Sequence, residues 1–508
     1  MKTPTISKSQ FLKGMQCQKR LWYDKNRKDL STEDDNKAKL EMGNEVGEIA
    51  KTYFENGVEV KENYWKTEKA IDSTKKFIEQ GKKIIFEATA MHPVTGAFSK
   101  IDVLRKVPNT NEWDLIEVKS AANIKSYHID DISFQYYVFH HAGYNIRRCF
   151  LMLLNSDYIR QGDIDPKGLL ILEDITEKVV EKQNTIDVLA TQLAVVPTQK
   201  NEPTIAIGSH CFTPFECDYK EHCWKHVPEY SIYNLLSKKK ADGIYKTINS
   251  YNIKDIPVKL YPKNKKGEIN LKNKIDIESF KTDAKHIDKE GINSFLNELE
   301  YPLYYLDYET ISYAIPIFDG TSPYQVIPFQ FSLHIQESPG AALSSSGYLH
   351  RELSDPRRAF TEKLISDCDD KGSVVVFNKP FEKRINKGLA ELYPQYADEL
   401  EAINKRMIDL LIPFRKRFLY TSEQKSSCSI KDVLPAYYPS EKKYSYKDME
   451  ISDGLEASRK YLKFIHGKTD NNELDELWNC LCRYCELDTM AMVKLVDKLN
   501  EFKFDQLN

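Results

Sequence analysis

The chain has 508 residues, a length that predicts two or three domains. Its residues are 41% hydrophobic and 11% aromatic, which is enough for packed cores and excludes a largely disordered chain. The net charge of −3 excludes a strongly basic protein, so a nucleic-acid-binding surface would have to be local. The sequence shows no signal-peptide pattern and no apolar run of membrane length, and we therefore expect a cytoplasmic protein with no membrane partner.

The stretch from residue 82 to residue 143 predicts a β-meander followed by a helix. In DLIEVKS, strand alternation puts Glu117 and Lys119 on one face, and in SKIDVL an apolar strand is interrupted by Asp102. Charges on buried strands are costly unless they are paired or bind a metal. The two carboxylates would supply the hard oxygen ligands that Mg²⁺ prefers, and Lys119 would act on a phosphate or on the attacking water. The alternative is a salt bridge among these charges on an exposed face.

These motifs resemble the PD-(D/E)XK nucleases, specifically their RecB-like branch, over residues 1–225. The resemblance implies a restriction-endonuclease-like α/β fold with a mixed sheet core. It also implies metal-binding roles for Asp102 and Glu117 and a catalytic role for Lys119. Gln135 matches the glutamine that this family carries on the helix after the sheet, and it is therefore expected to be part of the site.

Two positions depart from the pattern of that family. The aromatic residue four positions after Gln135 is Phe139, where relatives have tyrosine. The histidine that many relatives carry on the first helix has no counterpart, because GNEVGEIA offers Gly47 near that place. Glu45 and Glu48 are the candidate substitutes. These departures concern the number of metal ions and leave the nuclease class unchanged.

A cluster of cysteines lies after the predicted nuclease core. HCFTPFECDYKEHCW contains Cys211, Cys217 and Cys223, with five residues in each of the two intervals. In a reducing compartment, clustered cysteines more often bind a metal than form disulfides. Three cysteines are an odd number of metal ligands. Either one of them does not bind the metal, or a fourth ligand comes from elsewhere in the chain.

The iron-sulfur members of the RecB-like branch, which include the AddB and CRISPR adaptation nucleases, have one cysteine before the nuclease core and three after it. This resemblance implies that Cys17, in GMQCQKRLWY, is the fourth ligand. Four thiolates suit a 4Fe–4S cluster, which we favour, and a Cys₄ zinc site is the alternative. Such a cluster would join the two ends of the nuclease domain. The even spacing departs from the commoner arrangement of those relatives.

A lysine-rich segment divides the chain. Residues 237–274 contain 11 lysines and three acidic residues, a composition typical of a solvated linker or of a local surface for nucleic acid. One part, LLSKKKADGIYKTINSYNIKDIP, resembles a small helical element with a glycine-containing turn, as in helix-hairpin-helix proteins that bind the nucleic-acid backbone. We therefore predict a nuclease domain over residues 1–228, a basic connector over 229–298 and a second domain over 299–508.

The second domain has its own set of carboxylates. PLYYLDYET predicts an apolar strand with Asp307 and Glu309 on one face. Two neighbouring acids on a buried strand repel each other unless a cation lies between them, and the alternative is an edge strand with solvated acids. A later strand, turn and helix carries Glu382, and a helix predicted near the end puts Tyr484 and Asp488 one turn apart.

Together these motifs resemble the DEDD exonucleases of the RNase H-like superfamily, the group of DnaQ and RNase D. The resemblance implies a separate RNase H-like α/β domain with 3′→5′ exonuclease activity. Asp307, Glu309 and Asp488 would bind metal, and Tyr484 would orient the attacking water. The implied chemistry is two-metal hydrolysis of phosphodiester bonds with Mg²⁺ or Mn²⁺.

The second acidic motif of those exonucleases normally has an aspartate. Glu382 is the best match here, and its extra methylene changes the reach of the carboxylate. Asp409 in RMIDLL is the rival candidate, which we interpret as a structural residue. Residues 299–495 also resemble an uncharacterised bacterial domain that is found behind RecB-like nucleases.

A further group of cysteines, Cys480, Cys482 and Cys485, lies in CLCRYC. The surrounding segment predicts a helix, in which small buried cysteines are common. We therefore interpret these three as packing residues and not as a second metal cluster.

The expected function is that of a metal-dependent (exo)deoxyribonuclease with two nuclease-type domains, acting on single-stranded DNA or DNA ends, with RNA as an alternative substrate. A helicase or a defence system is the expected partner, in DNA repair or anti-phage defence. Two alternatives are a nuclease with one active site whose other domain binds nucleic acid, and a non-catalytic scaffold that binds DNA ends. Both carboxylate sets argue against a scaffold, because negative charge near phosphates weakens binding.

Overall fold

The computed structural model describes residues 5–32, 37–62, 66–441, 444–446 and 449–503. Within these ranges the chain is a mixed α/β protein that divides into two compact units. Unit 1 consists of Met1–His226 and Tyr313–Gln325, and unit 2 consists of Val227–Ser312 and Val326–Asn508. The predicted connector is part of unit 2, and a short segment of the predicted second domain packs with unit 1.

Unit 1 is built around one mixed sheet. Its elements are β1 (Ile6–Ser7), α1 (Lys8–Gln16), α2 (Gln18–Asn26), α3 (Lys37–Tyr53), β2 (Val58–Glu59), α4 (Thr67–Glu79), β3 (Ile84–Met91), β4 (Ala97–Lys106), β5 (Glu112–Val118), α5 (Ser126–His141), β6 (Asn145–Leu154), α6 (Pro166–Leu169), β7 (Leu170–Asp174), α7 (Thr176–Glu181), α8 (Gln183–Val195) and α9 (Lys220–Cys223). The strands lie in the order β2-β3-β4-β5-β6-β7, and β1 pairs with the beginning of β4. The predicted meander is formed by β3, β4 and β5, and β6 is parallel to β5.

Helices cover both faces of this sheet. One core packs the sheet residues Ile101 and Leu115 against Phe134 of α5 and against residues of α1 and α8. The other core packs Val103 and Ile116 against α3 and against the segment 313–325. The strand β5 is buried along most of its length, because both of its faces are covered and β4 and β6 flank its edges. An acid on β5 is therefore held in a largely buried place.

Unit 2 contains a second mixed sheet. Its elements are α10 (Ile232–Leu235), α11 (Lys238–Ile248), α12 (Leu271–Thr282), β8 (His286–Ile287), α13 (Lys289–Leu296), β9 (Leu303–Ile311), β10 (Ile327–Gln336), β11 (Leu343–Leu349), α14 (Arg357–Asp367), β12 (Ser373–Val376), α15 (Lys379–Leu392), α16 (Ala397–Arg406), β13 (Met407–Asp409), α17 (Leu411–Arg415), β14 (Leu419–Tyr420), α18 (Ile430–Tyr437), α19 (Gly454–Ile465) and α20 (Leu474–Asn500). The strand order is β11-β10-β9-β12-β13, and β8 pairs separately with β14.

The strand β9 is the centre of the five-stranded sheet. It is antiparallel to β10 and parallel to β12. On one face Leu306 and Leu333 pack against residues of α14, α15 and α16. On the other face α20 lies against β9 and β10, where Gln330 donates a hydrogen bond to the Leu481 carbonyl at 2.9 Å. Side chains on that face of β9 therefore meet α20.

The lysine-rich segment begins with a helix, as predicted, but the predicted turn at its glycine is not formed. Gly243, the glycine of the predicted turn, lies inside α11. The helix ends at Asn249, which has a left-handed φ of 50°. The helix-hairpin-helix pattern is therefore not reproduced around this glycine. Among the helices of the described ranges, none is both long enough and apolar enough to cross a bilayer.

Candidate active sites

The first candidate site lies on the central strands of unit 1. Asp102 is on β4 and Glu117 is the penultimate residue of β5. Lys119 comes directly after β5, and its backbone amide donates to the Met152 carbonyl of β6 at 2.9 Å. Gln135 lies on α5 and is fully buried. The contacts below show that these four predicted residues are neighbours in the structure.

Glu117 is 2% exposed and accepts hydrogen bonds at both carboxylate oxygens. Its Oε1 accepts from Lys119 Nζ and from Lys8 Nζ, each at 2.8 Å. Its Oε2 accepts from the Gln135 side-chain amide at 2.7 Å. Lys8 was not predicted from the sequence. It is the first residue of α1, whose N-terminus is capped by the side chain of Ser7.

Asp131 is a second acid of this site that sequence reasoning missed. It lies on α5, one turn before Gln135, and it is 5% exposed. Its carboxylate contacts Lys119, lies 3.3 Å from Lys8 Nζ and accepts from Gln135 Nε2 at 3.2 Å. The spacing of four residues to Gln135 was the available signal, because residues so spaced share a helix face.

Asp102 lies in an environment that disfavours its charge. Its Oδ2 accepts a hydrogen bond of 2.6 Å from the Val118 backbone amide. Burial, followed by the nearby Glu117 carboxylate, raises the pKa of Asp102 well above its ordinary value. Glu87 of β3 acts in the same direction and has an unusual φ of 55°. A divalent cation would relieve this repulsion.

The pKa of Glu117 is displaced in the opposite direction. Burial by itself would raise this pKa, but the ammonium groups of Lys119 and Lys8 outweigh burial and hold it below its ordinary value. Conversely, burial would lower the pKa of Lys119, and the carboxylates of Asp131 and Glu117 raise it instead. The site therefore contains the ionised carboxylate of Glu117 next to Asp102, and the charged form of Asp102 is poorly stabilised.

The candidate substitutes for the first-helix histidine lie on α3. Glu45 Oε2 accepts a hydrogen bond of 2.7 Å from the hydroxyl of Tyr313. Glu48 pairs with Lys51 at 2.7 Å on the same helix. Tyr313 belongs to the segment 313–325, which also contains Tyr324, whose hydroxyl donates to the Ser120 carbonyl next to Lys119. The segment therefore contacts both α3 and the end of β5.

The four predicted cluster cysteines all belong to unit 1. Cys17 is the residue between α1 and α2, and Cys223 is the last residue of α9. The Cys217 backbone amide donates to the Cys211 carbonyl at 2.9 Å, which folds the intervening loop back on itself. Burial raises the pKa of Cys217 to about 11, and the thiols of Cys211 and Cys17 add to this rise. The four thiols therefore share one region.

Aromatic rings surround these thiols. Cys211 and Cys217 form a buried cluster with Tyr23 and Tyr219, and further rings pack around it. His210 Nε2 lies 3.7 Å from Cys211 Sγ. In the part of the chain that the structure describes, no three of these thiols lie mutually within 4.8 Å. Tetrahedral zinc with Zn–S bonds of about 2.3 Å would bring its sulfurs to about 3.8 Å from one another.

The second candidate site is a cleft in unit 2 at β9. Asp307 lies opposite Ser332 of β10 in the strand register, and Glu309 lies opposite Gln330. The cleft has a volume of about 280 Å³. It is lined by Asp307, Tyr308, Glu309, Thr310, Phe377, Phe381, Ile430, Lys431, Gly454, Tyr484, Asp488 and Met492. Four of the predicted site residues thus meet in one cavity.

The helix α20 supplies Tyr484 and Asp488, one turn apart as predicted. Asp488 Oδ1 accepts a hydrogen bond of 2.6 Å from the hydroxyl of Tyr446. Sequence reasoning missed Tyr446, because it lies in an irregular segment with no periodic signal. The ring centroids of Tyr446 and Tyr484 are 6.3 Å apart, so both rings border the same acid.

The three acids of this cleft have raised pKa values. Burial, followed by the Asp488 and Glu309 carboxylates, raises the pKa of Asp307 well above its ordinary value. Burial and Asp488 raise the pKa of Glu309 to about 8. Burial raises the pKa of Asp488 to about 6, against the opposing effects of Tyr446 and Lys431. Such mutual repulsion is what a bound cation would remove.

Cys485 is completely buried beside the first acid of the cleft. Its Sγ lies 3.9 Å from Asp307 Oδ2 and 3.8 Å from the Asp307 carbonyl. Ligand atoms of Asp307, Glu309 and Cys485 all lie within 4.8 Å of one another. Cys480 and Cys482, on the same helix, are half-buried. Of these three cysteines, Cys485 thus lies with the two acids of β9 in one group of candidate ligands.

Glu382 and Asp409, the two candidates for the second acidic motif, have different surroundings. Glu382 is 2% exposed, and within the described residues its Oε2 has no hydrogen-bond partner. Burial raises the pKa of Glu382 to about 8, and its charge acts on Asp307. Asp409 Oδ1 accepts from the backbone amides of Asn378 and Leu411, each at 3.1 Å. The latter contacts are those of a residue that holds a loop.

Lys431 is a cation of the cleft that sequence reasoning did not single out. It lies in the first turn of α18, and its Nζ donates to the Ser452 carbonyl at 2.8 Å. Gly454 begins α19 nearby, where a Cβ would lie 3.4 Å from Glu309 Oε2. The backbone at position 454 therefore lies next to the carboxylate of Glu309.

Basic residues lie along α15, the helix that carries Glu382. A groove of about 520 Å³ is lined by Lys379, Pro380, Lys383, Arg384, Lys387, Asp409 and Ile412. Residues 379, 383 and 387 are spaced by four and share a helix face. Among the described residues, no ion pair involves Lys383, Arg384 or Lys387. This stripe is therefore a local positive surface on a chain of negative net charge.

A family described as a domain of unknown function, DUF2779, matches residues 304–429. The match includes β9 with Asp307 and Glu309, and also Glu382. The resemblance of this region to an uncharacterised bacterial domain is confirmed to that extent.

The chain is also similar to uncharacterized proteins of mycoplasmas and a ureaplasma. One from Mycoplasma genitalium is 26% identical over 265 residues, which are 46% of this chain and 38% of that protein. One from Ureaplasma parvum is 26% identical over 358 residues, which are 64% of this chain and 49% of that protein. A third, from Mycoplasma pneumoniae, is 26% identical over 43% of this chain and 36% of its own length. The matches thus span half or less of the length of these curated relatives.

Proposed function

We propose that this chain is a metal-dependent deoxyribonuclease with one active site in each unit. The observation that carries the proposal is the meeting of Asp307, Glu309, Asp488 and Tyr484 in one cleft, where the acids have pKa values far above those of solvated carboxyls. A cluster of buried acids that repel one another is a typical divalent-cation site. Phosphodiester hydrolysis is one of the reactions that such metal sites perform, and it is the one that the carboxylate motifs suggest by their resemblance to nucleases.

In unit 2 the proposed reaction is 3′→5′ exonucleolytic hydrolysis on an RNase H-like fold. Asp307 and Glu309 would hold a divalent ion, which would supply Lewis-acid chemistry towards the attacking water and the phosphate. Tyr484 orients that water through its hydroxyl, and Asp488 accepts the hydrogen bond of Tyr446, which holds this second tyrosine in place. Glu382 adds a further carboxylate near Asp307, and its charge raises the pKa of Asp307, a repulsion that a bound cation would offset.

In unit 1 the proposed fold is restriction-endonuclease-like and the proposed site is of the PD-(D/E)XK type. Asp102 and Glu117 provide the oxygen ligands for a divalent ion. Lys119 stabilises the charge that develops on the phosphate, and Gln135 orients Glu117 through its hydrogen bond of 2.7 Å. Asp131 positions the ammonium of Lys119 by accepting its hydrogen bond, and Lys8 contacts the same two carboxylates, Glu117 and Asp131, as Lys119 does.

The proposed cofactor of Cys17, Cys211, Cys217 and Cys223 is a 4Fe–4S cluster. Its support is the common location of four thiols within an aromatic shell. Four thiolates are also the usual ligand set of such a cluster. The residues thus fit the cluster, which would join the beginning and the end of unit 1.

The proposed substrate is DNA with a free end, and the basic groove of α15 supports a nucleic-acid partner, because unpaired cations attract phosphates. The test is incubation of 5′-labelled single- and double-stranded DNA with the purified protein and Mg²⁺ or Mn²⁺. We expect cleavage by the wild type and none by the Lys119→Ala/Asp307→Ala double variant.

The same assay decides between the alternatives. The single variants Lys119→Ala and Asp307→Ala are assayed in the same way. If one of these substitutions alone abolishes all cleavage and the other does not, the chain is a nuclease with one active site. If wild type and double variant both bind DNA and neither cuts DNA or RNA, the chain is a non-catalytic scaffold and the proposal is wrong.

A further inference from the structure

We propose that Lys431 takes the place of one of the two metal ions in the unit 2 site, so that the cleft holds a single divalent ion. This inference rests on the proposed nuclease function of unit 2. It departs from the two-metal chemistry that the sequence resemblance implies.

The position of Lys431 is the first support. Its side chain lines the cleft together with all three facing acids. Its Nζ lies 4.8 Å from the ring centroid of Tyr484 and 5.4 Å from that of Tyr446. The hydrogen bond to the Ser452 carbonyl holds the ammonium in this position. A cation is therefore built into the side of the cleft where Tyr484 lies.

The distribution of ligand atoms is the second support. Asp307 and Glu309 place carboxylate oxygens within 4.8 Å of each other and of Cys485 Sγ, and these atoms form one compact group of candidate ligands. One carboxylate oxygen of Asp488 already has a protein partner, since Oδ1 accepts a hydrogen bond of 2.6 Å from Tyr446. Glu382, the match to the second acidic motif, does not line the cleft. Among the lining acids, a second ion would thus have only Asp488 as a ligand of its own and would bind weakly, even where the Lys431 ammonium is removed.

The charge of the cleft is the third support. The lining acids Asp307, Glu309 and Asp488 carry three negative charges when ionised. Against the lining acids alone, one divalent ion and one ammonium balance these charges, whereas two divalent ions and the ammonium would exceed them by two positive charges. Glu382, which acts on Asp307 without lining the cleft, would offset one of these two. Uncompensated charge in a desolvated site is costly. In the substrate complex, the Lys431 ammonium would donate to a non-bridging phosphate oxygen and offset the charge that develops there.

The number of bound ions tests this inference without any need for activity. Mn²⁺ binding is measured by calorimetry on variants that all carry Asp102→Ala, which removes a metal ligand of unit 1. Any binding that remains in Asp102→Ala/Asp307→Ala is subtracted. We expect one Mn²⁺ per chain when Lys431 is present. Lys431→Ala should raise this number to two, with the second ion bound more weakly, and Lys431→Arg should leave it at one.

Two results would overturn the inference: two ions bound while Lys431 is present, or one ion bound by Lys431→Ala. Thermal melting curves identify any variant that does not fold, and Lys431→Met provides a second uncharged variant of similar shape. Lys416→Ala is the matched control, because Lys416 is exposed, lies over the Phe418 ring and is not among the lining residues.

Cleavage provides a separate readout on the same proteins. At low Mn²⁺, release of nucleotides should fall about 100-fold or more in Lys431→Ala and should recover in part at high Mn²⁺, as the second ion binds. If no protein of the series releases nucleotides, the proposed function fails, and the ion count still decides the role of Lys431.

Discussion

Lys8 Nζ lies 2.8 Å from Glu117 Oε1, although 109 residues separate the two in the chain. The same oxygen is contacted by Lys119, so the ammonium of Lys8 lies where a divalent ion would approach its ligand. We expect Lys8→Ala to bind Mg²⁺ in unit 1 about fivefold more tightly, because a competing contact worth about 1 kcal/mol is lost.

Calorimetry in an Asp307→Ala background measures this affinity. Lys106→Ala is the control, since Lys106 is on β4 and lies over the Trp113 ring, away from Glu117. Weaker Mg²⁺ binding by Lys8→Ala would contradict the competition and would make Lys8 an essential positioning residue.

Lys119 should be required for cleavage by unit 1 and not for metal binding. Its ammonium acts on the charge of the transition state, so Lys119→Ala should lower cleavage at least about 100-fold. Asp102→Ala should lower metal affinity instead, because a ligand is lost. End-labelled DNA and Mg²⁺ calorimetry, both in an Asp307→Ala background, separate the two effects. If Lys119→Ala cleaves DNA as fast as the protein with Lys119, unit 1 does not contain the proposed nuclease site.

The cysteine set predicts a coloured protein. After purification without oxygen we expect broad absorption at about 400 nm, as iron-sulfur thiolate clusters give. Cys17→Ser and Cys217→Ser should lose colour and iron to the same extent, because each removes one ligand. Cys482→Ser, on the helix α20, should keep both. A colourless wild type with one zinc per chain would establish the Cys₄ zinc alternative.

Local spacing singled out Glu117, Asp307, Glu309 and Asp488 but not Asp131, because the former belong to motifs that lie on one strand or one helix. Glu117 and Lys119 follow from strand alternation, and Tyr484 and Asp488 from the helical repeat. Lys8 could not be found in this way, since its relation to Glu117 exists only after α1 has packed on the sheet.

Lys431 and Tyr446 were missed for a similar reason. Lys431 lies in a first helical turn and Tyr446 in an irregular segment, and neither position carries a signature for a cleft residue. The packing of the segment 313–325 with unit 1 was also beyond sequence reasoning. Contacts such as that of Tyr313 with Glu45 depend on tertiary structure, and no periodicity in the chain encodes them.

The raised pKa values of unit 2 predict that the metal-free protein loses stability as pH rises. Glu309 has a pKa of about 8 in the folded state, against an ordinary value of about 4.3, and Asp488 has a pKa of about 6. Between these values the folded protein holds more protons than the unfolded chain, so the free energy of unfolding falls as pH rises from about 4 to about 8.

Melting temperatures in EDTA measure this effect. The melting temperature of the wild type should fall between pH 5 and pH 8, and that of Glu309→Gln should fall less. Glu337→Gln is the matched control, because Glu337 is an exposed glutamate of the same unit. If the melting temperatures of all three proteins depend on pH in the same way, the claim that Glu309 is a buried acid repelled by its neighbours is wrong.

The most direct test of the account is release of single nucleotides from a 3′-labelled DNA strand by the Lys119→Ala protein in Mn²⁺, with the same strand blocked at its 3′ end as control. We expect stepwise release from the free end, none from the blocked end, none by Lys119→Ala/Asp307→Ala, and reduced release when Tyr484→Phe is added to Lys119→Ala. Equal digestion of the blocked strand, or undiminished release after Asp307→Ala, would contradict a 3′→5′ exonuclease site in unit 2.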